Sequence, residues 1–480
     1  MNIKVIYHVM GRLIYALAIS LMVPMLAALL WDEPWHAFAM SVAICFVIGA
    51  LLTKAGKATN DKLSLREGVA ITGLSWFVAS SIAAVPYYLG TDMGIIDCMF
   101  EGISGITGTG ASVIKDLNLV PSSILLWRSI SHWLGGLGIV VIFIALFPQP
   151  GSGTMHMFYA ETTGPTSDRV MPRIKSTAYA LLILYIALTL LLIAILILCG
   201  IPIEDAVNNG MSAISTGGFS SRNGSIGELN SLSAEIAIII FMLIGGGNFG
   251  LYFMVWRKGF SSLLKNTEFK VYIILAVVIC MLITINLTLA QGYSPNSSLR
   301  MAAFQTASVL TTTGFTTADF DTWPTFSKLC ILLLMFTGGC AGSTSGGIKI
   351  SRFIMLFKMI YAVIEQKLHP RSIIHVKMDG REQSETVVLR VARFFFLYIM
   401  LALIIGTILA VDGVPVMDAI GIGISTMGNA GVAFGIASSS FGTLPDISKL
   451  TCCLFMIVGR LEIFTLLAML QPQFWRSGNW

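Results

Sequence analysis

Four times along this 480-residue chain, a short apolar stretch that cannot cross a membrane sits between two longer ones that can. Runs of spanning length occupy 13–30, 36–53, 69–89, 124–147, 178–200, 233–256, 271–290, 394–411 and 449–471, and a longer, broken one covers 326–360. About 20 residues traverse the hydrocarbon core, so ten crossings are expected. The stretches 97–107, 205–215, 301–311 and 418–425 are too short to span, so each must dip in and return on the same side. Lipid offers the backbone no hydrogen bonds, so spans are helical and a non-helical dip must face protein or a water-filled path. Composition agrees, with 55% of residues hydrophobic and only 11% charged. Soluble domains carry about 25% charged residues. The chain reads as an all-α integral membrane protein.

Basic residues set the orientation. The connections 54–68, 148–177, 257–270 and 358–393 hold 18 Lys/Arg, whereas Lys115, Arg222, Lys328 and Lys449 are counted on the other side. The first side is cytoplasmic, both termini lie there, and the dips enter from outside. A net charge of +5, scattered along the chain, suggests no nucleic-acid partner. The eight cysteines lie in or beside apolar runs without a C-x-x-C and read as small hydrophobes. Residues 13–30 meet Asp32 and Glu33 with no small-residue cleavage site, so no signal peptide is expected.

The dips are copies of one unit. They read DCMFEGISGITGTGAS (97–112), DAVNNGMSAISTGGFS (205–220), MAAFQTASVLTTTGFT (301–316) and DAIGIGISTMGNAGVA (418–433). Thirteen positions after each opening residue stands a glycine: Gly110, Gly218, Gly314 and Gly431. Seven positions after it stands a serine: Ser104, Ser212, Ser308 and Ser425, read as capping or packing the half-helix. Every copy starts and ends on the cytoplasmic side, so the copies are parallel and can surround a central axis. Inverted copies would instead mark a rocking carrier.

Four such turns on one axis can offer rings of carbonyl oxygens that replace a cation's hydration shell. Glycine supplies the φ > 0 conformations that turn successive carbonyls, and each half-helix aims its negative end inward. The candidate ion-binding residues are Thr107, Gly108, Thr109 and Gly110; Thr216, Gly217 and Gly218; Thr312, Thr313 and Gly314; and Asn429, Ala430 and Gly431. The threonine hydroxyls add oxygens, and no carboxylate lies in the turns. Thirteen acids on the outer side, Asp97, Glu101, Asp205, Asp321 and Asp418 among them, face four counted bases and predict a negative funnel.

Two further features lie below the turns. Within 326–360, Gly338, Gly339, Gly342, Ser343, Thr344, Ser345, Gly346 and Gly347 should break the helix into an intramembrane loop, read as a gate rather than a kink. Arg460 falls midway along 449–471, where a charge is costly, and reads as a pore cation or as the partner of a neighbouring carbonyl or acid. Lys349 and Arg352 read as snorkelling anchors. An enzyme reading, with Ser104 in Gly-Ile-Ser-Gly as a protease nucleophile and His132 as its base, is set aside because the serine recurs four times. A sodium- or proton-coupled secondary transporter is the stronger alternative.

The chain resembles the superfamily of bacterial Trk and Ktr and plant HKT potassium transporters, specifically the Trk-type membrane subunit. The resemblance runs along the whole chain and rests on TGTGAS, STGGFS, TTTGF, GNAGVAFG, HWLGGLGI (132–139), GGCAGSTSGGIK (338–349) and GRLEIFTLL (459–467). Gly108 stands where a threonine is often seen in the first filter, and the fourth filter lacks one. The resemblance implies four helix–pore-helix–helix repeats at 69–177, 178–270, 271–392 and 393–480, after an N-terminal transmembrane hairpin, 1–68, typical of the Trk branch. It also implies potassium as the transported ion with no cofactor, a homodimer, and a separate cytoplasmic nucleotide-binding regulatory subunit in a bacterial inner membrane.

Overall fold

The computed structural model describes residues 1–56, 63–138, 174–370, 375–461 and 463–475, without the side chains of 174–175 and 256–258. The basic connection 148–177 and the end of the expected span 124–147 therefore lie largely outside the described residues.

Among the described residues, six helices are long and apolar enough to span: α1 (Ile3–Leu30), α2 (His36–Ala55), α3 (Leu65–Gly90), α6 (Ile174–Leu198), α10 (Thr267–Gln291) and α14 (Glu385–Val411). Local chemistry sets their starts. Ser64 and Glu67 form a reciprocal capping box on α3, and Asn266 caps α10 by accepting from the Phe269 amide. α1 and α2 lie antiparallel at close range, with Gly11 against Thr53 and Gly49 against Tyr15.

Four shorter helices fall on the dips: α4 (Ile95–Thr107), α7 (Ile203–Ile214), α11 (Pro295–Leu310) and α15 (Val416–Gly428). Each is followed by a second short helix: α5 (Ser122–Gly136), α8 (Leu232–Gly245), α12 (Thr325–Phe336) and α16 (Asp446–Arg460). The packing order is cyclic. α4 touches α3, α5 and α16; α7 touches α6, α8 and α5; α11 touches α10, α12 and α8; and α15 touches α14, α16 and α12.

Two expected spans are not straight. The run 233–256 is α8 and α9 (Phe249–Lys258), bent by 96°, and 449–471 is α16 and α17 (Ile463–Leu470), bent by 110°. Glycine explains both bends. A Cβ on Gly245 would lie 2.9 Å from the Ile214 carbonyl at the end of α7, and one on Gly459 would collide with the Met427 carbonyl of α15. In the first unit Gly135 abuts the Ile106 carbonyl of α4 in the same way. Each return helix thus stops where it meets the end of its short helix. In the third unit the broken run parts at Thr337, and α13 (Ile350–Leu368) resumes beyond the glycine-rich loop.

Candidate functional site

All four short helices end in one hydrogen-bond pattern. The amides of Gly108, Thr216, Thr312 and Asn429 donate to the carbonyl three residues back at 3.1, 3.1, 3.0 and 3.3 Å. The next amides, of Thr109, Gly217, Thr313 and Ala430, reach the carbonyl of the recurring serine at 3.0, 2.9, 2.8 and 2.9 Å. This is a Schellman closure, which needs a left-handed residue after the helix. Gly108, Thr216, Thr312 and Asn429 supply it with φ of +68, +51, +54 and +52°. Two residues on, Gly110, Gly218, Gly314 and Gly431 again have φ of +80, +86, +87 and +71°.

The four turns close on one another. A Cβ added to Gly110 would collide with the carbonyl oxygen of Gly217, on Gly218 with that of Thr313, and on Gly431 with that of Thr109. On Gly314 it would lie 2.7 Å from the Ala430 oxygen. Each ring glycine therefore lies against the carbonyl one position earlier in the next unit, and the fourth returns to the first.

The hydroxyls expected to add oxygens have protein partners. Thr107 and Thr109 share a hydrogen bond of 2.7 Å, as do Thr311 and Thr313. The Thr216 hydroxyl donates to Thr344 Oγ1 at 3.1 Å, and Thr312 Oγ1 accepts from the Gly346 amide at 2.7 Å. Asn429 Nδ2 donates to Thr109 Oγ1 (2.9 Å) and to the Met456 carbonyl (3.0 Å). A non-glycine left-handed residue costs about 1–3 kcal/mol and persists where surroundings over-determine it. Thr216, Thr312 and Asn429 are held in that way, while Gly108 avoids the penalty. The recurring serine donates to the carbonyl seven residues on at Ser104 (to Ala111, 2.6 Å) and Ser308 (to Phe315, 2.7 Å), as a capping role requires. Ser212 and Ser425 are buried with no partner among the described residues.

The loop 338–349 lies against three of these turns, through Thr344 on Thr216, Gly346 on Thr312, and Gly346 beside Asn429 and the Gly428 carbonyl. It is bound at its base, where the Gly338 amide donates to Ile348 at 2.8 Å, and from the side, where the Cys340 amide donates to Gly246 at 2.8 Å. Gly342 and Gly347 turn it with φ of +72 and +65°. Ser345 Oγ accepts from the Gly339 amide at 2.9 Å and lies 2.6 Å from Ser343 Oγ.

Arg460 meets the carbonyl alternative raised for it. Nη1 donates to Thr344 O at 2.9 Å, and Nη2 to Gly135 O and Gly136 O at 2.7 and 2.9 Å. It ties the loop to the end of α5. Lys349 corrects the expectation of a snorkelling anchor: it is 2% exposed, and its Nζ donates to the Ser345 carbonyl and to Ser345 Oγ at 3.1 Å. Arg352 is also buried, its guanidinium 3.9 Å above the Phe394 ring.

Sequence reasoning missed two bases near the turns. Arg128 donates to Glu101 at 2.7 Å, to Ser112 Oγ at 3.1 Å and to the Ser220 carbonyl at 3.2 Å, joining the first two turns in full burial. Arg300, a fifth base on the outer side, pairs with Glu235 at 2.7 Å. Lys449–Asp97 (2.6 Å), Arg222–Asp205 (2.7 Å) and Lys328–Asp321 (3.3 Å) complete five neutralised acids, so the negative funnel is weaker than the bare count implied. Ser104 and His132 do not form a nucleophile–base pair: the serine hydroxyl is spent on Ala111, and the imidazole stacks on Phe219 at 4.0 Å.

Comparison with known proteins places this geometry. The family model described as TrkH, cation transport protein, matches residues 35–476. The chain is 34% identical to the Trk system potassium uptake protein TrkG of Escherichia coli K12, over 99% of each. It is 33% identical to the Trk system potassium uptake protein TrkH of Halomonas elongata, over 99% of this chain and all of the other. The crystal structure of the potassium transporter TrkH from Vibrio parahaemolyticus superposes with a TM-score of 0.90 at 31% identity, covering 99% of this chain and 100% of that one.

Proposed function

Because this chain belongs to the TrkH family of cation transport proteins, a family of multi-pass membrane transporters rather than enzymes, we propose that it takes up potassium through the ring of four turns. The carrying observation is the closure of that ring, in which each glycine lies against a carbonyl of the next unit and the fourth meets the first. Only rotationally related, parallel units pack in such a cycle, which favours a central pore over a pair of inverted halves. In this reading the four units at 69–177, 178–270, 271–392 and 393–480 surround the pore, and the helix pair within 1–68 stands beside it. The turns strip and select the ion, and their backbone carbonyls do the coordinating. The loop 338–349 lies beneath them and Arg460 fastens it across the path.

The proposal includes a bacterial cytoplasmic membrane with both termini inside, as the basic connections require. It further includes a homodimer and a cytoplasmic nucleotide-binding subunit on the basic face, which the family resemblance implies. Purified protein in liposomes tests the reading. Uptake of K⁺ and Rb⁺ well above Na⁺ supports it, and equal uptake of all three overturns it. Flux that stops without an H⁺ or Na⁺ gradient would instead favour a coupled carrier.

A further inference from the structure

Glu268 is buried and plays no part in the ion path described above, yet it holds both ends of the loop. Its Oε1 accepts from the Ala341 amide at 2.8 Å and from the Ser351 amide at 3.0 Å. The first amide lies in the loop and the second in the opening turn of α13. Glu268 itself sits in the first turn of α10, so its position depends on where that helix begins.

That start is set from the cytoplasmic connection. Lys377–Met378 and Arg381–Glu382 pair as a two-residue hairpin. Its turn residues Asp379 and Gly380 have φ of +47 and +78°, the sign a tight I′ turn requires at both positions. Asp379 then accepts from the Thr267 amide at 2.8 Å and from Asn266 Nδ2 at 3.2 Å, which fixes the residue before Glu268. On its other side the hairpin is tied to α13, because Lys358 Nζ donates to the Lys377 carbonyl at 2.7 Å. The hairpin therefore bridges the two helices whose first turns Glu268 joins to the loop.

We propose that Glu268 is the positioning residue of the loop and that the hairpin 377–382, through Asp379, positions Glu268. The hairpin is then the handle by which contact on the cytoplasmic face reaches the ion path. Drawing it away strips the Thr267 amide at the start of α10 of its acceptor, displaces Glu268 and releases both loop ends at once. This rests on the reading of 338–349 as a gate.

The test is Rb⁺ uptake by the full chain in liposomes, without any partner, for Glu268→Ala, Asp379→Ala and Asp379→Asn. Glu268→Ala removes two charge-assisted bonds and should raise uptake about tenfold or more. Asp379→Ala removes an exposed cap and should raise it about threefold, whereas Asp379→Asn keeps an acceptor for the Thr267 amide and should stay within about twofold of the parent. The K⁺/Na⁺ ratio, set by the ring, should not move in any of them. Asp379 is on the surface and its variants fold even if Glu268→Ala does not. Unchanged or lower uptake in Asp379→Ala, or equal effects of the Ala and Asn variants, overturns the inference. If instead the parent shows no K⁺ preference, the pore reading falls and the inference falls with it; a selective parent with unresponsive variants sinks the inference alone.

Discussion

The ring makes a graded prediction, because its glycines meet two separable penalties. Every ring glycine, and Gly108 two residues before the first of them, has φ > 0, where a side chain costs about 1–2 kcal/mol. Gly108 bears only this penalty, since φ is +68° and nothing lies within 4 Å of an added Cβ. Gly314 adds a contact at 2.7 Å with the Ala430 carbonyl, and Gly110 adds an outright collision with the Gly217 carbonyl. Both neighbours are backbone and cannot swing aside, so the next unit's carbonyl must move. Every 1.4 kcal/mol is about tenfold in an equilibrium. K⁺/Na⁺ discrimination should therefore fall about tenfold in Gly108→Ser, by more than that in Gly314→Ser, and further still in Gly110→Ser. Gly94→Ser, at an ordinary backbone position with open space around it, is the control. The assay is competitive K⁺ and Na⁺ uptake into liposomes at matched protein density. If Gly110→Ser is no worse than Gly108→Ser, the carbonyls against the ring glycines do not set selectivity and the reasoning fails.

Three other outcomes follow from the contacts around the turns. Arg460→Ala breaks three charge-assisted bonds that tie the loop to α5 and should raise partner-free Rb⁺ uptake about tenfold or more; a fall in uptake by folded protein would mean that the arginine only supports packing. Thr312→Val leaves the buried Gly346 amide without an acceptor, a loss of about 1–3 kcal/mol, so uptake should also rise. Its effect with Arg460→Ala should be less than additive, because both fasten one loop. Arg128→Ala strands Glu101 without its charge partner at the junction of the first two turns. It should cost about 3–5 kcal/mol, seen as a clear drop in melting temperature in detergent, whereas a melting temperature unchanged by the substitution would contradict that burial.

The ring was legible in the sequence because its requirement repeats. A left-handed glycine recurs at 110, 218, 314 and 431, and four matching offsets outweigh the many glycines that merely pack helices. The loop was legible for the same kind of reason, since eight glycines and hydroxyl residues in ten positions cannot continue a helix. The bends at Gly245 and Gly459 were not, because hydropathy runs on through them and their cause is a carbonyl about 30 residues away in the chain. The left-handed partner position was hidden differently: Gly108, Thr216, Thr312 and Asn429 share a conformation without sharing a residue type. Buried pairs such as Glu101–Arg128, and the two amides held by Glu268, carry no periodic signal. Each joins residues 27 to 83 positions apart and becomes visible only once the helices are packed.

The most direct measurement is the position of the ion itself. Crystals of this protein grown in Rb⁺ would be examined at the rubidium absorption edge for anomalous density. The account predicts a peak on the axis of the four turns, bracketed by the carbonyls of Thr109, Gly217, Thr313 and Ala430 and lost when Na⁺ replaces Rb⁺. Ordered turns with no density there, or a peak that Na⁺ displaces as readily as K⁺ does, would contradict it.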